Sequence, residues 1–227
     1  MRFTEAVLAA RTPVIAEIKL TDGAGTGLTR GRSVAELVEA YHEAGACCLS
    51  VVTGKWFGGS ARLLAEVTSQ TTLPVLHKDF ITQRGQVTAA AEAGAAAVLL
   101  TAALLPAAVL RDLIEHALSA GLTPFVEVTG ERELAAVEPA DRCVIAVNNK
   151  EIRDRERGAG DIGRSLRLLP EVLATGCPCP VSASGIDTPE IGSRLLGAGY
   201  AGLLVGTGLL RADSPSAWLA QLTVAAR

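Results

Sequence analysis

The sequence predicts a single α/β domain folded as a closed (β/α)8 barrel, and three observations indicate this fold. Short apolar, β-rich runs alternate with longer helical patterns eight times in 227 residues. No Gly-x-Gly-x-x-Gly motif follows the first strand, which disfavours the alternative of a doubly wound open sheet. Polar residues also recur at the carboxyl ends of many strands, whereas an open sheet would concentrate them near one switch point.

The predicted strands are short and bounded by turn residues, and they lie at 14–19, 47–52, 74–78, 96–100, 124–128, 143–147, 180–184 and 202–205. The helical patterns lie at 33–44, 60–69, 82–93, 106–120, 131–138, 164–175, 188–197 and 215–226. Ser33 and Glu36 have the spacing of a capping box at the start of the first of these helices. No linker divides the chain, so we expect one domain over 1–227, with 1–11 as a short helix covering the bottom of the barrel.

Composition excludes several classes of protein. Hydrophobic residues make up 49% of the chain, which is too high for a disordered protein. The apolar runs are broken by Gly, Thr or Pro before they reach roughly 18 residues, so we expect no membrane span. A net charge of −3 argues against a nucleic-acid partner, because a phosphate backbone requires a basic face. A small phosphorylated ligand is compatible with this charge, since one local pocket can bind it.

The cysteines predict neither a metal site nor a redox site, because none of them has Cys-x-x-Cys spacing. All lie in or beside apolar, strand-like stretches, at Cys47, Cys48, Cys143, Cys177 and Cys179. Buried, reduced thiols are the expected state. Together with the absence of a charged-then-apolar secretory pattern over 1–12, this indicates the cytoplasm.

The first strand contains two charged residues. Because side chains alternate along a strand, Ile15, Glu17 and Lys19 share one face, and the apolar residues on the other face are expected to pack beneath helices. Glu17 and Lys19 would then point into the mouth of the barrel. Two charges in a core strand are costly unless they are paired or functional, so a structural ion pair and a catalytic role are both open at this stage.

Polar side chains also stand at the ends of strands 3, 5 and 6. Lys78 follows an apolar strand and could bind an anion or act as a general acid, although a solvated loop lysine is the simpler interpretation. Glu127 is a lone carboxylate among β-branched residues. Asn148 could orient hydroxyl groups or merely shape a turn.

Glycines follow strands 7 and 8, and they favour a phosphate site. In (β/α)8 barrels the loops after these strands, with a short extra helix, commonly bind phosphate. Backbone N–H groups at Gly185, Gly206 and Thr207 would donate to the phosphate oxygens, with a short helix beginning near Thr207. Ordinary tight turns are the alternative, but two such turns side by side favour the phosphate.

Seven segments from Pro13 to Leu210 now suggest a family. They are PVIAEIK, TGKWFGGS, PVLHKDF, GLTPFVEV, AVNNK, VSASGI and LLVGTGLL. In their order and spacing the chain resembles the indole-3-glycerol phosphate synthases. The resemblance implies a ribulose-phosphate-binding (β/α)8 barrel and a carboxy-lyase of tryptophan biosynthesis that needs no cofactor or metal. Such an enzyme converts 1-(2-carboxyphenylamino)-1-deoxyribulose 5-phosphate to indole-3-glycerol phosphate, carbon dioxide and water.

The resemblance also implies a role for each strand-end residue. Lys78 would be the general acid that protonates the ribulose carbonyl and helps to expel water, and Glu127 would be its acid/base partner in dehydration. Lys19 would bind the substrate carboxylate or donate a further proton. Glu17 and Asn148 would orient hydroxyls. The substrate-binding residues would be Phe80 against the aromatic ring, and, around the phosphate, Ser184, Gly185, Gly206 and Thr207.

The chain departs from the family pattern mainly on the aryl side of the pocket. Ala183 stands where the family has a glutamate, a glycine-rich stretch at 20–27 replaces a Ser-Pro-Ser loop, and Lys150 replaces an arginine. No acidic residue follows Thr53, and the family's long N-terminal extension is essentially missing, so we expect a diverged, short member.

Three hypotheses follow from the residues and the resemblance. The first is an indole-3-glycerol phosphate synthase. The second is a diverged paralogue, acting in specialised metabolism on a different aryl or arylamino sugar phosphate. The third is a non-catalytic phosphosugar-binding barrel, which the retained Lys19, Lys78 and Glu127 argue against. We expect a monomer, because the aromatic content of 4% does not suggest a sticky interface.

Overall fold

Eight parallel strands pair in sequence order and the last pairs with the first, so the sheet closes into a barrel. The computed structural model describes residues 2–150 and 160–224. The strands are β1 (Val14–Ile18), β2 (Cys48–Val52), β3 (Val75–Lys78), β4 (Ala97–Thr101), β5 (Thr123–Val128), β6 (Val144–Asn148), β7 (Cys179–Ala183) and β8 (Gly202–Val205). The (β/α)8 prediction is confirmed, and each strand end lies within one residue of its expected position.

Helices follow the strands around the outside of the barrel. They are α1 (Phe3–Ala9), α2 (Val34–Glu43), α3 (Ala61–Gln70), α4 (Arg84–Glu92), α5 (Ala107–Ser119), α6 (Glu131–Leu134), α7 (Ile162–Ala174), α8 (Pro189–Ala198), α9 (Thr207–Arg211) and α10 (Pro215–Ala220). The capping box of α2 is present, because Ser33 Oγ accepts from the Glu36 N–H and the Glu36 carboxylate accepts from the Ser33 N–H. None of the helices in the two described stretches is long and apolar enough to cross a membrane.

Two helices are shorter than the periodicity predicts. The pattern over 131–138 yields only α6, because the Ala136 and Val137 N–H groups donate to carbonyls three residues back, and Pro139 then disfavours helical backbone at Glu138. The pattern over 215–226 yields only α10. There the Thr223 N–H donates to Ser193 Oγ on α8 at 2.9 Å instead of to a carbonyl of its own helix. Residues 225–226 lie outside the described part of the chain.

Side chains that alternate along the strands build two separate cores. Val14, Ala16 and Ile18 belong to the large cluster between sheet and helices, whereas Ile15 belongs to a smaller cluster inside the barrel. This is the alternation that the first strand predicts, and it leaves Glu17 on the inner face.

Helix α1 covers the bottom of the barrel, as expected for the leading segment. Phe3 is buried in the inner core, where its ring meets the edge of Phe125 at 6.1 Å between centroids. Val7 packs against Gly202 at the start of β8, where an added Cβ would lie 2.7 Å from Val7 Cγ1. With the bottom filled by apolar side chains, the charged residues are left at the opposite end of the barrel.

Candidate active site

Glu17 lies between two lysines at the mouth of the barrel. Its Oε1 is 3.3 Å from Lys19 Nζ, and its Oε2 is 3.0 Å from Lys78 Nζ. Glu17 is only 2% exposed, and both lysines are buried as well. The prediction that Glu17 and Lys19 face the mouth is confirmed. The structure adds that Lys78 shares the same carboxylate, so three charges form one buried cluster.

Neighbouring groups hold this cluster in place. The buried Tyr41 hydroxyl donates to the Glu17 carbonyl at 3.2 Å, and burial raises the pKa of that phenol. Lys19 Nζ lies 5.5 Å from the centroid of the Phe57 ring, within range of a cation–π interaction. Gly206 leaves the space that Glu17 occupies, because a Cβ at this glycine would overlap Glu17 Oε1.

Glu127 and Asn148 lie at the carboxyl ends of β5 and β6, and both are buried. Phe125 and Ala146, two residues earlier on the same strands, belong to the cluster inside the barrel. Because side chains alternate along a strand, Glu127 and Asn148 face the inside of the barrel as well. Asn148 Oδ1 accepts from the Lys150 N–H at 2.8 Å. Arg164 on α7, which sequence reasoning missed, donates to the Asn148 carbonyl at 2.8 Å and so fixes the end of β6.

A narrow cleft opens beside Glu17 and Lys19. The four residues predicted around the phosphate all line it, and so does Lys150. Among the described residues, the cleft is lined by Glu17, Lys19, Lys150, Ser184, Gly185, Ile186, Asp187, Leu204, Gly206, Thr207 and Gly208. Helix α9 begins at Thr207, as predicted, and its first-turn N–H groups lack partners within the helix by geometry. This arrangement suits an anion.

The loop after β7 has an unusual backbone. Ser184 has φ +64° and Gly185 has φ +69°, so two successive residues are in the left-handed region. Glycine adopts this conformation readily, but serine does so only at a cost in energy. Gly185 also packs directly against Gly160, where an added Cβ would lie 2.7 Å from Gly185 Cα.

A second polar group, which sequence reasoning did not identify, lies behind Lys78. The Thr53 hydroxyl donates to Asp79 Oδ2 at 2.6 Å, so it accepts from His77 Nε2 at 2.8 Å. His77 therefore carries its proton on Nε2, and its pKa is lowered because burial disfavours the charged ring. Asp79 Oδ1 accepts from the Phe80 N–H at 2.8 Å. These contacts position Lys78 and Phe80, which flank Asp79.

Aromatic rings meet at the rim on this side of the barrel. Phe80 lies edge-on to Trp56, with 6.0 Å between ring centroids. Trp56 is 58% exposed, whereas Phe57 is turned inward beneath Lys19. The two neighbouring aromatic residues therefore have different environments, one at the surface and one inside.

Ala183 is buried at the end of β7, in register with Asn148. The carboxylate that pairs with both lysines is therefore supplied by β1, at Glu17, and not by β7. Over residues 2–150 and 160–224, no group of three or more His, Cys, Asp or Glu side chains is arranged to hold a metal ion. That the reaction needs neither metal nor cofactor stays a prediction.

The closed barrel, with buried lysines and carboxylates at the carboxyl ends of its strands, has the architecture of a (β/α)8-barrel enzyme. A family model described as indole-3-glycerol phosphate synthase matches residues 1–222. The chain belongs to the indole-3-glycerol phosphate synthase family.

Named relatives agree with the family match. The indole-3-glycerol phosphate synthase of Pyrococcus furiosus is 39% identical over 212 residues, which cover 92% of this chain and 90% of the relative. That of Thermococcus kodakarensis is 37% identical over 94% of this chain and 93% of its own length. A Staphylococcus aureus relative of the same name is 35% identical over 92% of this chain and 78% of its own length. Nothing in these comparisons favours the paralogue or the non-catalytic hypothesis.

Proposed function

We propose that this chain is an indole-3-glycerol phosphate synthase. It closes the indole ring of 1-(2-carboxyphenylamino)-1-deoxyribulose 5-phosphate with loss of carbon dioxide and water. The observation that carries the proposal is the buried Lys19–Glu17–Lys78 cluster at the mouth of the barrel, next to a glycine-lined cleft. The family match supports the same reaction.

The chemistry requires proton transfers at one oxygen atom and at a neighbouring carbon atom. When the aryl carbon that carries the carboxylate bonds to the ribulose carbonyl carbon, the carbonyl oxygen takes up a proton and becomes a hydroxyl. Loss of carbon dioxide restores the aromatic ring. The hydroxyl must then leave as water, and the methylene carbon between the nitrogen and the former carbonyl carbon must lose a proton to complete the indole ring. Positioned acids and bases can catalyse these steps without a covalent intermediate.

Lys78 is our candidate for the general acid. Its ammonium is buried, and the ion pair between Lys78 Nζ and Glu17 Oε2, at 3.0 Å, fixes the position of this proton donor. Glu127, also buried on the inner face, would accept and return a proton during dehydration. Lys19 would bind the substrate carboxylate or donate a further proton, while Glu17 and Asn148 orient the sugar hydroxyls. A low-dielectric setting strengthens each of these interactions.

The cleft would bind the phosphate, with backbone N–H groups of Gly185, Gly206 and Thr207 and the Ser184 side chain as donors. Lys150, which lines the same cleft, would add a positive charge. At the other side of the mouth, Phe80 would pack on the aryl ring. Binding the two ends of the substrate would place the ribulose carbonyl between them, near Lys78.

The described cysteines are all free thiols, which is compatible with an enzyme of the cytoplasm. We propose that location and a monomeric state. Size-exclusion chromatography with light scattering would test the monomer, and a dimer mass at micromolar concentration would contradict it.

The test is turnover of the arylamino ribulose phosphate by purified protein, followed by indole fluorescence. We expect Lys78→Ala and Glu127→Gln each to reduce kcat by roughly 10²- to 10⁴-fold. Lys55→Ala is the matched control, because Lys55 is exposed and is the only lysine in the sequence that we assign no role. Absence of product with wild-type protein, combined with thermal stabilisation by phosphosugars, would favour the paralogue instead.

A further inference from the structure

A buried amide lies directly behind the phosphate cleft. Asn149 follows β6, is 1% exposed and is not among the residues that line the cleft. Its side chain contacts the end of β7 and the first turn of α7. The inference drawn from it rests on the proposed function, since it concerns the loop that we assign to the phosphate.

The hydrogen bonds of Asn149 fix the orientation of its side chain. Oδ1 accepts from the Ser165 N–H at 3.3 Å, and Nδ2 lies 3.1 Å from the Ser184 carbonyl oxygen. A backbone N–H can only donate and a carbonyl can only accept. The amide therefore has a single orientation, with its NH₂ group toward β7.

Two serine hydroxyls close a ring of hydrogen bonds with this amide. Ser165 Oγ donates to Asn149 Oδ1 at 2.8 Å, and Asn149 Nδ2 donates toward Ser182 Oγ at 3.1 Å. The Ser182 hydroxyl must then donate to Ser165 Oγ, which lies 2.8 Å away. Every member of this buried ring has a partner, and satisfied networks of this kind are rigid.

The same NH₂ group lies 3.1 Å from the carbonyl oxygens of both Ala183 and Ser184. These two carbonyls belong to the peptide units on either side of the Ser184 Cα. The Ala183 carbonyl also accepts from the Asn149 backbone N–H at 3.0 Å, so the side chain is above all the anchor of the Ser184 unit. With both units held, φ and ψ of Ser184 have little freedom, and this serine stays at φ +64° against its preference.

Peptide geometry links these carbonyls to the cleft. In a planar trans peptide the C=O and the following N–H point in opposite directions. When Asn149 draws the Ala183 and Ser184 carbonyls toward itself, the N–H groups of Ser184 and Gly185 must point away from it. Both residues line the cleft, whereas Asn149 does not.

We propose that Asn149 is a positioning residue that aims the N–H groups of Ser184 and Gly185 at the substrate phosphate. It does not touch the substrate. Its effect on the reaction passes through the backbone of the loop after β7, whose left-handed conformation it stabilises. Asn149→Ala should therefore weaken phosphate binding more than it slows the chemical step.

The test compares Asn149→Ala with Tyr200→Phe by titration calorimetry with inorganic phosphate and by steady-state kinetics. Tyr200 is a matched control, because its buried hydroxyl donates to the Ser165 carbonyl at 2.8 Å but does not contact the loop after β7. We expect Asn149→Ala to raise the phosphate Kd and the KM about tenfold, the equivalent of one lost hydrogen bond to a charged group, with kcat within about threefold. Tyr200→Phe should lower the melting temperature and leave the phosphate Kd unchanged.

A second variant covers the case in which Asn149→Ala does not fold. Asn149→Asp keeps the shape of the side chain but can donate only when it is protonated. Its phosphate affinity relative to wild type should therefore improve as the pH falls, and the comparison with wild type cancels the titration of phosphate itself. A relative affinity that is independent of pH would overturn the proposal.

The remaining outcomes separate the inference from the proposed function. If Asn149→Ala folds and binds phosphate with the wild-type Kd, or if Tyr200→Phe loses as much phosphate affinity as Asn149→Ala, then Asn149 has only a structural role. The proposed function would still stand in either case, provided that the wild-type protein turns over the substrate. Wild-type protein that neither binds phosphate nor forms indole-3-glycerol phosphate would overturn the proposed function, and the inference with it.

Discussion

Lys78 Nζ lies 3.0 Å from Glu17 Oε2, although the two residues belong to strands that do not neighbour each other in the barrel. The same carboxylate also holds Lys19 at 3.3 Å. A buried carboxylate between two buried ammonium groups is costly to desolvate, and it is retained here at the position where the proposed reaction needs proton donors.

Replacing Glu17 should lower the stability of the folded protein. Glu17→Gln preserves shape but leaves two buried ammonium groups without the charge between them, so we expect a loss of about 3–5 kcal/mol in the free energy of unfolding. The measurement is urea denaturation at neutral pH. Glu138→Gln is the control, since Glu138 forms an exposed ion pair with Arg111 and should change stability by less than about 1 kcal/mol. An equal loss in the free energy of unfolding for Glu17→Gln and Glu138→Gln would contradict a stabilising role for the buried Glu17 carboxylate.

Adding one methyl group at Gly206 should disturb both halves of the site. The Cβ of Gly206→Ala would overlap Glu17 Oε1 and would also enter the cleft. We expect kcat/KM to fall roughly 10²-fold, as for other small displacements of catalytic groups. Gly197→Ala is the control, because a Cβ at that helical glycine meets nothing within 4 Å and should leave activity unchanged. Similar activity in the two variants would contradict the assigned role of Gly206.

His77 should make stability depend on pH. Burial lowers its pKa in the folded protein below the ordinary value of 6.5, although Asp79 partly opposes the shift. The unfolded chain therefore takes up a proton first as the pH falls. We expect the stabilisation from neutral His77 to be complete above pH 6.5 and to decline as the pH falls through the lower folded pKa. Denaturation of wild type and His77→Gln between pH 8 and pH 5 checks this, and parallel pH profiles would contradict it.

The exposed indole of Trp56 should contribute to aryl binding. We expect Trp56→Ala to raise the KM for the arylamino substrate by roughly two- to tenfold, the scale of one aromatic contact, without changing the Kd of inorganic phosphate. Leu173→Ala, which removes a half-exposed apolar side chain on α7, is the control. A change in phosphate Kd, or no change in KM, would exclude Trp56 from the aryl side of the site.

Much of the fold follows from local sequence patterns. Every strand is predictable to within one residue, because buried strands of a parallel sheet are continuous apolar runs between turns. Helix ends are harder to predict. Helix α10 ends early because a hydroxyl on α8 takes the Thr223 N–H, and that contact is invisible to periodicity. The proline after Glu138 was a local signal for the early end of α6.

The site is predictable only in part, for a physical reason. Alternation along one strand places Glu17 and Lys19 on the inner face, and turn glycines indicate the cleft. The second partner of Glu17 depends on which strand ends meet across the closed barrel. The ring around Asn149 depends on the register of β6 with β7 and on the packing of α7 against them. The Thr53–His77–Asp79 group depends on the register of β2 with β3. Closure and register are set by the whole sheet, so no local pattern reveals them.

The most direct test of the central claim is the stoichiometry of product formation by wild-type protein. Purified protein is incubated with 1-(2-carboxyphenylamino)-1-deoxyribulose 5-phosphate, and indole-3-glycerol phosphate and carbon dioxide are measured in the same reaction. The expected result is one carbon dioxide per indole product, with the rates of formation of both reduced roughly 10²- to 10⁴-fold in Lys78→Ala. Substrate that binds but is not consumed by wild-type protein, or turnover at the wild-type rate in Lys78→Ala, would contradict the claim.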